Sequence, residues 1–121
     1  MNDYRLELPW PPTVNTYWRH ARGRHYISDK GKKYRTAVHS IITAANLAIN
    51  TTARLRITID AHAPDKRRRD LDNLQKAVFD SLASAVFMVD DEQIDDFRVR
   101  RREKVQGGKL AIVITELEET A

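Results

Sequence analysis

A run of charged residues in the middle of the chain has the composition of a site that acts on phosphodiesters. Four consecutive cations, Lys66 to Arg69, lead directly into the carboxylates of Asp70 and Asp72. Lys76 follows Asp72 by four residues, so a helix that begins near Asp70 would place these two side chains on one face. A second acidic pair, Asp90-Asp91, comes after that helix.

These carboxylates have the chemistry of ligands for a hard divalent cation. Clustered carboxylates repel one another and raise each other's pKa unless a cation joins them. Oxygen donors without His or Cys favour Mg²⁺, with Mn²⁺ as a substitute, over zinc. Such an ion would activate water and neutralise charge on a scissile phosphate, while adjacent arginines hold neighbouring phosphates.

Each of these acidic residues also has an ordinary structural explanation. Asp70 can cap a helix, and Asp72 can favour the helix dipole and pair with Lys76 for a few tenths of a kcal/mol. Asp90 and Asp91 can be turn residues. The four adjacent cations favour the interpretation as a site, because caps and turns do not require them.

The basic residues of the whole chain are segregated. Of 21 Lys and Arg residues, 16 lie in three short windows, at 19–35, 66–69 and 98–104. Eight of the 17 acidic residues lie between positions 70 and 96, beside two of these windows. The net charge is only +4, so the distribution rather than the total indicates a polyanionic partner.

A second group of cations is interleaved with aromatic residues near the N-terminus. Arg19, Arg22 and Arg24 are predicted to contact DNA. Three neighbouring aromatic side chains would either stack on splayed bases or anchor the segment to the protein; they are Tyr17, Trp18 and Tyr26. His20 and His25 lack metal-ligand spacing and are expected to assist phosphate contact.

Hydrophobic periodicity predicts an α+β fold in a single domain, residues 1–121, with the order β-α-β-α-β-β. Ser28 is expected to cap the first helix, whose apolar positions extend to Ile49. The second helix is expected to start near Asp70, and Gln106-Gly107-Gly108 is expected to join the last two strands as a hairpin. A mixed or antiparallel sheet with both helices on one side would result. The predicted strands lie at 4–8, 54–62, 94–102 and 110–117.

Composition excludes several classes of protein. The absence of cysteine excludes disulfides and thiolate chemistry. The longest mostly apolar stretch, Ile41–Ile49, is far too short to span a membrane. The N-terminal sequence lacks the apolar run of a signal peptide. The expectation is a cytoplasmic protein without membrane segments.

The segment Arg67–Lys76, together with Asp90-Asp91, resembles the RusA family of Holliday-junction resolvases, and the resemblance covers nearly the whole chain. The opening also fits that family, in Leu8-Pro9-Trp10-Pro11-Pro12, Asn15, Tyr17 and Arg19-His20. The resemblance implies a homodimeric, Mg²⁺-dependent endonuclease, often carried by prophages, that resolves four-way junctions by paired symmetric nicks. Carried over residue by residue, it implies metal ligands at Asp70, Asp72 and Asp91, with Asp90 adjacent and Lys76 required for cleavage.

The function predicted from the sequence is therefore a structure-selective endonuclease of DNA recombination and repair. The catalytic set would be Asp70, Asp72, Lys76 and Asp90-Asp91, and the run Lys66, Arg67, Arg68, Arg69 would track the DNA backbone. Two alternatives stay open at this point. One is a nuclease of the same chemistry that prefers flaps or forks, and the other is a non-catalytic DNA-binding module.

Overall fold

The fold is built on a four-stranded mixed sheet. The computed structural model describes residues 2–117. Its strands are β1 (Asp3–Leu8), β4 (Leu55–His62), β5 (Ile94–Arg101) and β6 (Lys109–Glu116). They lie in the order β1-β6-β4-β5, in which β4 and β5 are parallel and the other neighbours are antiparallel. A separate antiparallel hairpin consists of β2 (Trp18–Ala21) and β3 (Arg24–Ile27).

Within residues 2–117, three helices accompany the sheet, a short α1 (Val14–Tyr17), α2 (Asp29–Ala44) and α3 (Gln75–Ser84). The core forms where alternate residues of the strands meet α2 and α3. On β4 the buried face includes Ile57 and Ile59, and α2 and α3 contribute fully buried Ile42 and Leu82. The strand alternation thus places both long helices on one side of the sheet, as the sequence predicted.

The N-terminus of α2 is fixed against the hairpin. The Ser28 hydroxyl accepts a hydrogen bond from the backbone N–H of Gly31 at 3.0 Å, which confirms the predicted cap. A Cβ at Gly31 would lie 2.6 Å from the side chain of Ile27 and from the carbonyl oxygen of Tyr17, so only glycine permits this approach. The helix ends at Ala44 rather than at Ile49, because Asn46 takes a positive φ of 58°.

The segment between β1 and α2, for which periodicity predicted no helix or strand, contains α1 and the β2–β3 hairpin. Arg22 and Gly23 form its two-residue turn with φ of 52° and 74°. A turn with both central residues at positive φ matches the twist of an antiparallel ribbon, and glycine supplies one of them. The strands on either side are only four residues long, which is too short for a clear periodicity.

The predicted hairpin between the last two strands is wrong. Gln106–Gly108 does form a turn, with Gly107 and Gly108 at positive φ, but β4 lies between β5 and β6. The burial patterns explain the arrangement. Alternate residues of β6 are buried, as suits an inner strand, whereas most of β5 is exposed, as suits an edge. Within residues 2–117, no helix has the length and apolar character needed to cross a membrane.

Candidate active site

The cationic run Lys66–Arg69 lies in a segment that connects β4 to α3 and is here called the basic turn (residues 65–73). Lys66, Arg67 and Arg68 are exposed. Arg69 differs, because its side chain is only 23% exposed and donates to the carboxylate of Asp65 at 2.7 Å. This hydrogen bond, with the backbone N–H of Arg67, lowers the pKa of Asp65 to about 2. Three of the four cations in this run are therefore exposed to a ligand. The fourth, Arg69, also holds the turn together.

The basic turn presents both of its predicted metal ligands to solvent. Asp70 and Asp72 are exposed, and a 3-10 turn (Leu71–Asn73) precedes α3. The second helix therefore begins at Gln75 rather than near Asp70. In the part of the chain that the structure describes, the Asp70 side chain makes no capping hydrogen bond with this turn. The explanation of Asp70 as a simple helix cap is thus wrong.

Lys76 lies on α3 at the edge of a notch beside the β2–β3 hairpin. The ion pairs formed among residues 2–117 include neither Asp72 nor Lys76. Lys76 instead shares the notch, of about 160 Å³, with His20 and His25, whose ring centroids are 4.2 Å apart. A lysine next to two imidazoles suits contact with a phosphate, since no carboxylate is found among the described residues that line the notch.

The second acidic segment, here called the acidic turn (residues 90–93), connects α3 to β5 through a 3-10 turn (Asp91–Gln93). The Asp90 carboxylate accepts from the backbone of Gln93, and the Gln93 side-chain oxygen accepts from the Asp90 N–H at 2.9 Å. The amide nitrogen of Gln93 is buried and donates to the carbonyl oxygens of Thr51 and Ala53 at 2.8 and 2.9 Å. Asp90 therefore caps this 3-10 turn, a structural role close to that of the turn residue that the sequence also allowed.

Asp91 lies in a negative environment. Its hydrogen bond with Asp90 raises its pKa, and partial burial and the charges of Asp90 and Asp80 add to the effect. Repulsion of this kind is what a bound cation relieves.

Asp80 belongs to a network that the sequence did not reveal. Arg35 on α2 holds the Asp80 carboxylate through two hydrogen bonds, of 2.8 and 3.0 Å. The fully buried Tyr17 donates its hydroxyl to the same carboxylate, and burial followed by this hydrogen bond raises the pKa of Tyr17. The network ties α1, α2 and α3 together one turn away from Lys76. The only sequence signal was the four-residue spacing from Lys76 to Asp80.

The carboxylates do not form a preassembled metal cage. Among the described residues, no three His, Cys, Asp or Glu side chains lie close enough together to hold an ion by themselves. The donor type nevertheless fits Mg²⁺, which is commonly held by one or two carboxylates while water and substrate phosphates complete its coordination. The three-carboxylate metal site at Asp70, Asp72 and Asp91 stays a prediction.

A small mixed sheet that carries exposed cations beside two carboxylate turns has the groups that cleavage of a nucleic acid requires. Comparison with known proteins then identifies the family. The family described as "Endodeoxyribonuclease RusA" matches residues 9–115, and the chain belongs to this family. It is therefore an endodeoxyribonuclease, which excludes the non-catalytic binding module.

Two curated relatives cover almost the full length. A crossover junction endodeoxyribonuclease of Enterobacteria phage HK97 is 57% identical over 118 residues, which are 98% of either chain. The protein of the same name from Escherichia coli strain K12 is 50% identical over 117 residues, 97% of this chain and 98% of the relative. The phage relative fits the expected association with prophages.

Proposed function

We propose that this chain cuts four-way DNA junctions in recombination and repair, with a divalent cation and as a homodimer. The observation that carries the proposal is the full-length similarity to proteins named for crossover junctions, at 50–57% identity. The exposed cations and the exposed carboxylates of the two turns support it, because DNA cleavage needs both binding of the backbone and a site for hydrolysis. The proposed activity would act on DNA in the cytoplasm.

The residues of the two turns would divide the work. Asp70, Asp72 and Asp91 would hold Mg²⁺, or Mn²⁺ in its place, which supplies an activated water and charge neutralisation at the phosphate. Lys76 would stabilise negative charge on the reacting phosphate. Lys66–Arg68 would hold neighbouring phosphates of the same strand, and the exposed Arg19, Arg22 and Arg24 of the hairpin would contact another part of the junction.

A homodimer follows from the symmetry of the substrate. Resolution needs two nicks in strands related by a near-twofold axis, and this chain carries one acidic constellation. An isologous dimer places two equal sites across one axis. It also doubles the basic surface that faces DNA, which raises affinity at a given salt concentration.

The decisive experiment is a nicking assay on a synthetic four-way junction with titrated Mg²⁺ or Mn²⁺. Flap, fork and linear duplex substrates of matched sequence provide the controls. We expect metal-dependent nicks in opposed strands of the junction and slower cleavage of the other substrates. Faster cleavage of the flap or the fork would favour the alternative branched substrate.

The dimer is tested by light scattering, which should give about 28 kDa, twice the chain mass of 14.0 kDa. Paired cutting is tested separately on a supercoiled cruciform plasmid. Excess competitor junction added after binding should still leave linear product, because both nicks occur within one complex. Release of singly nicked circles by a monomer would contradict the dimer proposal.

A further inference from the structure

A cleft beside the basic turn is lined on two sides by different chemistry. Trp10 and Thr13 of the proline-rich opening form one wall, and Arg68, Asp70 and Asn73 form the other. The cleft has a volume of about 410 Å³, within the range of roughly 300–1,000 Å³ that is usual for small-molecule pockets. It therefore has room for one flat heterocycle directly beside Asp70.

The aromatic wall of this cleft is held in place by the surrounding fold. The Tyr34 hydroxyl donates to the carbonyl oxygen of Pro9 at 2.7 Å and fixes the start of the opening segment. A Cβ at Gly108 would lie 3.0 Å from Trp10 Cβ, and Gly108 has a φ of +72° that favours glycine. The start of the Trp10 side chain is thus closely packed against Gly108, and Trp10 is partly buried against the core.

The opposite wall is equally fixed. The Arg69 guanidinium carbon lies 5.7 Å from the centroid of the Trp10 ring, and its Asp65 partner holds it at this distance. Arg101 on β5 donates to the Arg69 carbonyl oxygen at 2.8 Å and attaches the basic turn to the sheet. Preorganised walls reduce the entropy that the protein must lose when a ligand binds.

We propose that this cleft takes a single unstacked nucleobase from the nucleotide next to the cut phosphate. Trp10 would stack on the face of the base, and the Asn73 amide, which both donates and accepts, would meet its edge. Arg68 lies where the attached phosphate would enter. The inference rests on the proposed DNA cleavage and adds the element that selects where it occurs.

The consequence is a physical basis for structure selectivity. Bases of an intact duplex are stacked on both faces, and removing one costs a few kcal/mol. At a branch point the stacking is already disrupted, so removing a base costs less free energy. An enzyme that needs a base in this cleft would bind duplex through phosphate contacts but cut only where a base can leave the stack.

The test combines an abasic nucleotide in the DNA with variants of Trp10. In a junction, the nucleotide on either side of the cut phosphate is replaced by an abasic analogue, and single-turnover nicking is measured for the native protein. We expect a loss of about fivefold or more, the lower end of what base–aromatic stacking contributes. An abasic nucleotide four positions away is the DNA control.

The protein variants then show whether the lost contact is with Trp10. Trp10→Leu keeps apolar bulk but removes the ring, so it should nick intact and abasic junctions at similar rates, whereas Trp10→Phe should keep the abasic penalty. Trp18→Ala, at the only other tryptophan of the chain, should also keep it. Thermal melting identifies any variant that fails to fold.

Three outcomes would overturn the inference. They are no abasic penalty in the native protein, an equal penalty in Trp10→Leu and the native protein, or a penalty that disappears in Trp18→Ala instead. These failures differ from failure of the proposed function, in which the native protein would not nick even the intact junction with any divalent cation.

Discussion

The basic turn and the acidic turn flank the same helix, α3, and carry carboxylates in opposite electrostatic states. In the basic turn, Arg69 lowers the pKa of Asp65 to about 2, so this carboxylate is a satisfied structural anion. In the acidic turn, the neighbouring acids raise the pKa of Asp91, which leaves its charge uncompensated. An aspartate thus stabilises the fold in the turn before α3 and destabilises it in the turn after α3.

This difference would allow a small nuclease to bind a polyanion and still attract a cation. The exposed arginines would hold DNA, whereas a divalent cation that the DNA phosphates help to bind would relieve the repulsion within the acidic turn. Residues that weaken the fold are typical of functional sites. The following predictions test this contrast between the two turns, from the largest expected effect to the smallest.

The largest effect is expected from the predicted metal ligands. Asp70→Asn, Asp72→Asn or Asp91→Asn should reduce nicking by several orders of magnitude while junction binding stays equal or becomes slightly tighter, because a carboxylate near a phosphate repels it. Nicking and gel-shift assays on the same variant decide the matter. Parallel loss of binding in a folded variant would contradict a ligand role. Asp90→Asn keeps the cap, since Asn caps as well as Asp, and isolates the effect of charge at Asp90.

Lys76→Ala should lower the turnover number by about 10²–10³, the usual effect of losing one preorganised charge in an active site. Its side chain is exposed, so thermal stability should change little. Lys76→Arg should restore little activity, because a planar guanidinium does not replace a compact ammonium. Near-normal nicking by Lys76→Ala would assign the residue to the helix surface alone.

Within the basic turn, the arginines should separate into two kinds. Arg67→Ala and Arg68→Ala should weaken binding to all DNA shapes and reduce the salt slope by roughly one unit per lost phosphate contact. Arg69→Ala should in addition lower the melting temperature by several degrees, because its side chain holds Asp65 and packs near Trp10. Equal melting temperatures for all three variants would contradict the structural role of Arg69.

The acidic turn should show a pH-dependent cost to stability. A raised pKa means that folding favours the protonated form of Asp91, so its contribution is present at low pH and lost as pH rises through the raised value. Asp91→Asn should therefore melt about 1–3 °C above the native protein at pH 7, and the gain should vanish near pH 3. Added Mg²⁺ should raise the melting temperature of the native protein more than that of the variant.

The basic turn should show the opposite dependence. The lowered pKa of Asp65 means that folding favours the ionised form, so its contribution is present above the ordinary pKa of aspartate and lost as pH falls through about 2. Asp65→Asn should melt slightly below the native protein at pH 7, and the two curves should converge in strong acid. A difference that persists unchanged at pH 2 would assign the effect to packing rather than to charge.

Much of the fold was predictable because it depends on short-range patterns. Alternation within eight residues identified β4, and a serine before a 3.6-residue repeat identified the start of α2. The hairpin at Arg22-Gly23 was missed because its strands are too short for a periodic signal. The pairing of the last strand was predicted wrongly, because a glycine turn shows where the chain reverses but not which strand it pairs with afterwards.

By itself, the sequence determined which residue types were available for chemistry. The cations of the basic turn and the carboxylates on either side of α3 are local properties of the chain, and the family resemblance follows from the order of residues along nearly its whole length. Only the tertiary structure decided how they are used. It placed Asp90 in a cap with Gln93. It paired Asp80 with Arg35, which lies 45 positions earlier in the chain, and it placed Trp10 in a cleft beside Asp70. The physical reason is that hydrogen-bond partners and desolvation depend on neighbours in space, which distant parts of the chain supply.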